Sequence, residues 1–176
     1  MGGNVSAADR RLANLLGAFA CALGDEVERK AEQSTQRSVA SAIALIQLEP
    51  QRGGSLAELQ SALGLTQPSV TRIVQKLRDD GLVDVVRQGA DGRVIHINLT
   101  TRGLESRTQA LKGRESAILP LIAALDQQQH QAVQTLIERA LTVLTPDRAA
   151  SDRACRFCDL GVCPQERCPA EPNSRR

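Results

Sequence analysis

Apolar residues recur at three- and four-residue intervals along most of the chain, and the intervals break at clusters of turn-forming residues. Between residues 8 and 32, Leu12, Leu15, Leu16, Phe19, Leu23 and Val27 share one face, and the repeat runs on into the charged stretch DEVERK. This predicts one long amphipathic helix. TQRSVASAIALIQLEP (35–50) predicts a second helix stopped by Pro50, and RGGS after it a turn. In SLAELQSALGL (55–65), Ser55 precedes Glu58 by three residues, the signature of a capping box, and Leu56, Leu59 and Leu63 are helically spaced. TQPSVTRIVQKLRDDG (66–81) follows at once, with Thr66 as cap, Pro68 in the first turn, Val70, Ile73, Val74 and Leu77 as an inward stripe, and Gly81 as terminator. Two short helices joined by a tight turn at Gly64 predict a helix-turn-helix over 55–80.

The period then changes. LVDVVRQ and RVIHINL carry β-branched residues, and GADG between them supplies turn chemistry, so residues 82–99 predict a β-hairpin, a wing beside the helix-turn-helix. From Thr100 the helical period returns, with a kink or break expected at Pro120. DQQQHQAVQTLIERALTVLTP (126–146) predicts a last helix whose Val133, Leu136, Ile137, Ala140, Leu141 and Leu144 form a wide apolar face. The fold class is therefore mainly α with a small β-wing, a winged helix-turn-helix. Residues 1–7 read as a flexible start, 8–146 as the winged-helix domain, and 147–176 as a cysteine-rich tail. The apolar faces of helices 8–32 and 104–145 exceed what the winged core needs, and burying them against a second copy predicts a homodimer built on these helices.

Composition narrows the functions available. The chain has 176 residues, no Trp or Tyr and only two Phe, so its core is aliphatic and stacking of bases on aromatic rings is nearly excluded as a binding mode. A formal charge of +2 leaves the question of nucleic acid to local patches. RRLANLLGAFACALG (10–24) has the basic start and apolar run of an export signal, but its helical spacing assigns it to the first amphipathic helix. MGGNVS fits the short myristoylation pattern, yet reads better as a loose terminus. No run is long enough to span a membrane, which points to a cytoplasmic protein.

With Val70, Ile73, Val74 and Leu77 turned inward, Gln67, Ser69, Thr71, Arg72, Gln75 and Lys76 are left outward or at the boundary. Arg reads guanine, Gln reads adenine, and hydroxyls and Lys hold phosphates, whereas a merely solvated helix carries Glu/Lys ladders. On the wing, DGRVIHINLTTRG places Asp91, Arg93, Leu99, Thr100 and Gly103 in the pattern D-x-R-x5-L-T-x2-G. In this wing and in LTQPSVTRIVQKLRDDGLV the chain resembles the MarR (multiple-antibiotic-resistance regulator) family of winged-helix repressors, over roughly residues 8–145. The resemblance implies an obligate dimer on a triangular frame of terminal helices, binding double-stranded DNA at an inverted-repeat operator. It places each recognition helix in a major groove, with Arg93 probing the minor groove and Asp91 orienting it. Family members also bind small aromatic acids, but the absence of Tyr and Trp leaves few stacking partners for that ligand class here. Other members sense peroxide through a first-helix cysteine; Cys21, between Phe19 and Leu23 and without tyrosines nearby, reads as a buried structural thiol.

The tail contains CRFCDLGVCPQERC, four of the five cysteines in one short run. Cys155, Cys158, Cys163 and Cys168 form C-x2-C-x4-C-x4-C, enough thiolates for a tetrahedral Zn²⁺ site or an iron–sulfur cluster. The spacing equals that of a retroviral-type zinc knuckle with Cys163 in place of His, although Asp159 stands where the knuckle has glycine. Spacing alone leaves the metal undecided and leaves disulfide formation open. His96 and His130 read as a wing residue and a helix-surface residue. The polar link TPDRAASDRA predicts a tail held at the edge of the frame, outside the core, where metal or redox state controls operator affinity. Two other readings stand beside this one: a small redox or electron-transfer protein, and a metal-dependent interaction module on an architectural winged helix. An enzyme is not expected, because no acid/base or nucleophile constellation accompanies the cysteines.

Overall fold

The structure, a computed structural model, describes residues 5–88, 94–163 and 168–171. Ser6 opens α1 (Ala7–Thr35) with a reciprocal capping box: the Asp9 amide donates to Ser6 Oγ at 3.1 Å and the Ser6 amide to Asp9 Oδ2 at 3.0 Å. The helix ends where Gln36 turns left-handed, φ 54°. The segment expected to be helical from residue 35 therefore starts late: Ser38 caps α2 (Val39–Gln47), which stops ahead of Pro50.

β1 (Gly54–Ser55) leads straight into α3 (Leu56–Leu63), and Gly64 at φ 64° makes the tight turn into α4 (Gln67–Asp79). β2 (Val83–Gln88) and β3 (Val94–Leu99) pair antiparallel, with Val83 opposite Leu99. The expected hairpin is present but belongs to a three-stranded sheet of order β1-β3-β2, in which Gly54 pairs with Ile97. Two residues of β1 are too few to leave an alternating pattern in the sequence.

Thr100 ties the sheet to α5 (Thr101–Ala123): its amide donates to Leu82 O at 3.0 Å, its hydroxyl donates to Gly81 O at 2.8 Å, and that hydroxyl oxygen accepts from the Gly103 amide at 3.0 Å. Of the kink or break expected at Pro120 the break does not occur, since α5 is one continuous helix through it. The bond that proline forfeits lies near the helix end on an exposed face, where water can satisfy the freed carbonyl. The interruption falls instead at Asp126, which caps α6 (Gln127–Leu144) in a box with Gln129.

Two apolar clusters hold the chain together. The first joins Leu45, Leu48, Leu59, Val70, Val74, Leu77 and Ile97, locking the helix-turn-helix onto α2 and the sheet. The second packs Ala31, Ala42, Ile46, Ala110 and Leu111 where α1 and α5 cross, with Phe157 against it. Phe157 belongs to the tail, and its placement corrects the expectation of a tail outside the core. The polar link folds as α7 (Arg148–Ala154) against α3. Gln47 Nε2 donates to the carbonyls of Cys155 and Arg156, both at 3.1 Å, and Arg107 pairs with Asp159 at 3.2 Å. A lone aromatic ring in an aliphatic chain carries no periodic signal, so sequence pattern did not show that the tail is anchored.

By contrast, the first half of α1 and all of α6 bury nothing within the chain: Phe19 and Leu136 are each 53% exposed and Leu144 69%.

Candidate nucleic-acid interface

The helix-turn-helix owes its rigidity to local chemistry. Ser55 and Glu58 form the expected capping box at the start of α3, the Ser55 amide donating to Glu58 Oε2 at 2.7 Å and the Glu58 amide to Ser55 Oγ at 3.2 Å. Arg52 reaches the same carboxylate at 3.0 Å and Glu49 at 3.0 Å. Burial alone would raise the Glu58 carboxyl, but the bonds from Ser55 and Arg52 outweigh it and hold it below its ordinary value. At the other end of the motif, Arg37 forms a half-buried ion pair with Asp80, tying the C-terminus of α4 to the α1–α2 junction. Sequence pattern gave no sign of this pair, because its members lie far apart in the chain.

On α4 the inward stripe is as expected: Val70, Val74 and Leu77 are buried and Ile73 half-buried. Gln67, Thr71, Arg72, Gln75 and Lys76 are exposed, and Ser69 is half-buried at the boundary. Their chemical states differ. Thr71 Oγ1 donates to the Gln67 carbonyl at 2.9 Å, and the Ser69 and Thr66 hydroxyls are 3.0 Å apart, so both residues fasten the first turns. Gln75 Nε2 donates to Asp79 Oδ1 at 3.0 Å, which holds its amide in place. Gln67, Arg72 and Lys76 make no side-chain hydrogen bond or ion pair among the described residues. Arg78, not singled out from sequence, lies with Thr71 and Gln75 along the groove between α4 and the sheet. A rigid helix thus offers amides, hydroxyls and two uncommitted cations on one side, the set that base edges and phosphates require. Asp91 and Arg93, expected at the wing tip, lie outside the described residues.

The cysteines occupy a different place. Cys155 ends α7, Cys155, Cys158 and Cys168 are half-buried, Cys163 is exposed, and all four line one cavity of about 270 Å³. The two thiols Cys155 and Cys158 are free, and hydrogen bonding between them, with burial, pushes Cys155 up, while the same interaction lowers Cys158, opposed by burial and aided by Arg114 of α5. Among the described residues, no three His, Cys, Asp or Glu side chains converge tightly enough to hold a single metal ion as they stand. Cys21 is exposed on α1, not buried within its own chain as expected, because the first half of this helix packs against nothing within the chain. A shallow hollow of about 380 Å³ is lined by aliphatic residues such as Val39, Ile43 and Leu65, with Arg153 and Arg156. No helix among the described residues is long and apolar enough to cross a membrane.

This geometry has relatives. The MarR family pattern matches residues 36–94, from the turn before α2 to the first residue of β3. The transcriptional repressor MprA of Escherichia coli is 29% identical over 104 residues, which cover 58% of this chain and 59% of the length of that relative. Among solved structures, YusO of Bacillus subtilis superposes with a TM-score of 0.61 at 20% identity, covering 77% of this chain and 98% of its own. Sco3205 of Streptomyces coelicolor, a MarR family transcriptional regulator solved in complex with DNA, gives 0.63 at 18% identity, covering 83% and 93%. MepR of Staphylococcus aureus gives 0.61 at 19% identity, covering 75% and 97%. With the helix-turn-helix, the wing strands and the long flanking helices in place, residues 36–94 are a MarR-family domain and the chain has that family's winged-helix fold.

Proposed function

We propose that the chain is a sequence-specific DNA-binding transcriptional repressor that acts as a homodimer on an inverted-repeat operator. The observation that carries this reading is the outer face of α4, where Gln67, Arg72 and Lys76 stand exposed without side-chain partners among the described residues, on a helix whose C-terminal end is tied down by the Arg37–Asp80 pair. The repressor name of its Escherichia coli relative and the DNA complex of its Streptomyces relative support the same reading. MarR-family members are transcription regulators, so the cysteines need not be assigned to an enzyme or an electron carrier. A repressor works where the chromosome is, which places the protein in the cytoplasm.

The dimer follows from the uncovered faces of α1 and α6. Leu12, Leu15, Leu16 and Phe19 on one and Leu136, Ile137 and Leu144 on the other form stripes too large to leave in water. A second copy covers them and sets two recognition helices about 34–36 Å apart, one turn of B-DNA. The tail's contact with α3 supports a regulatory part for the tail, since anything that moves it bears on the helix-turn-helix.

Selection of bound sequences from a random duplex pool tests the reading. The expected product is an inverted repeat with half-sites about one turn apart, bound by a species of twice the chain mass in sedimentation. Recovery of unrelated sequences bound with equal affinity, or tight sequence-specific binding by a monomer, would count against it.

A further inference from the structure

The DNA-binding face leaves the tail cysteines without a task, although the fold holds their peptide at fixed places. Phe157 sits against Ile46 and Leu111, Gln47 grips the carbonyls of Cys155 and Arg156, and Arg107 holds Asp159. Past Cys168, Ala170 is 1% exposed beside Thr145. The returning chain brings all four thiols to one hollow. The carboxylates on its wall already have guanidinium partners: Arg52 bridges Glu49 and Glu58, Arg148 holds Asp152 at 2.8 Å and Glu171 at 3.5 Å, and Arg107 takes Asp159. The donors that remain are the four cysteine sulfurs, of which Cys155 and Cys158 share a hydrogen bond that a metal would replace, and sulfur selects soft and borderline metals over Mg²⁺ or Ca²⁺.

We propose that Cys155, Cys158, Cys163 and Cys168 form a four-thiolate centre for a thiophilic metal, a zinc ion or an iron–sulfur cluster, and that this centre is a joint between the tail and the helix-turn-helix. Loading with Zn²⁺ replaces four S–H bonds by four metal–sulfur bonds and releases four protons to solvent, leaving a net charge near −2. The sulfurs stand around a hollow rather than at a point. A zinc ion therefore draws them in to about 2.3 Å from one centre, whereas a cluster spans the space with less movement. Either product carries negative charge between Arg52 and Arg148 and competes for them with Glu58 and Asp152. Glu58 caps α3, so loading acts on the first helix of the DNA-binding motif. That effect rests on the DNA-binding reading above; the metal site itself does not.

The test uses the full chain, purified without oxygen in reductant and stripped by a chelator. One arm titrates Co²⁺, a coloured stand-in for Zn²⁺; the other adds ferric iron and sulfide, so that two Fe³⁺, two S²⁻ and four thiolates give a [2Fe–2S] centre of net charge −2 with no change of oxidation state. One centre per chain is expected, seen either as tetrahedral cobalt–thiolate absorption that Zn²⁺ displaces or as charge-transfer bands of an iron–sulfur cluster. Cys163→Ser, at an exposed position where packing is undisturbed, should weaken uptake by more than the ~10- to 100-fold that loss of an outer-shell partner costs. Cys21→Ser should leave uptake unchanged. The site is overturned if wild-type protein with intact helical circular dichroism takes up neither, or if uptake survives in both Cys163→Ser and Cys158→Ser. Uptake with no change in DNA affinity overturns the joint alone; uptake by a protein that binds no DNA keeps the site and removes the repressor reading.

Discussion

Arg72 and Lys76 share the outer face of α4, yet their side chains are suited to different contacts. A guanidinium is a planar fork that bonds two acceptors of one guanine at once, whereas an ammonium is a point charge that any phosphate satisfies. Arg72→Ala should therefore weaken binding by about 1–3 kcal/mol and relax the base preference in each half-site. Lys76→Ala should weaken binding to every sequence alike and lower the slope of log affinity against log salt by about one per site. Titrations on matched and mismatched duplexes at several salt concentrations separate the two; equal sequence dependence in both variants would contradict the assignment. Gly103 shows how a motif residue can serve structure alone. A Cβ there would stand 1.9 Å from the Leu82 carbonyl oxygen, so α5 can leave the sheet only over a bare Cα. Gly103→Ala should cost about 1–3 kcal/mol of stability, the usual range for overpacking, read by urea denaturation.

At the scale of elements, the helix-turn-helix is set by how its helices begin and end. Glu58 closes the α3 capping box and also accepts from Arg52, and its carboxyl is held below the ordinary value of 4.5. A depressed carboxyl contributes stability that is present above the unfolded value and lost as pH falls through the folded one. The melting temperature should therefore fall as pH drops below about 4.5, with Glu58 contributing to the slope. Glu58→Gln keeps the cap but removes the titration, so its melting curve should be flatter across that interval. A variant with the same acid dependence as the wild type would show that other carboxylates carry it.

At the scale of the whole molecule, the tail is part of what holds α2 and α5 together. Phe157 packs on the cluster around Ile46 and Leu111, Arg156 lies over its ring at 5.6 Å, and Arg156 pairs with Glu28 of α1 at 3.4 Å. Phe157→Ala should cost roughly 1–3 kcal/mol, below the range for a fully buried ring because this one is half-buried. Its thermal melt should shift down while a conservative Phe157→Leu recovers most of the loss. No shift in either would mean that the tail only rests on the domain.

Local rules made much of this legible in advance. The helix-turn-helix, its capping box, the inward stripe of α4 and the wing strands depend on neighbours within a few residues, and such patterns survive in any context that buries the same face. The exposed set on α4 could be named for the same reason, because turning the stripe inward decides which residues turn out. Contacts between residues far apart in sequence had no such signature. The Arg37–Asp80 pair, the β1 strand added at the sheet edge, the grip of Gln47 on the cysteine turn and the seat of Phe157 arise only when separate elements meet. The sequence by itself determined the helix-turn-helix, the exposed polar face of α4 and the number of thiols. Tertiary structure decided that those thiols face one hollow against the helix-turn-helix, because that depends on how α2, α5 and α7 pack and on nothing in the spacing of the cysteines.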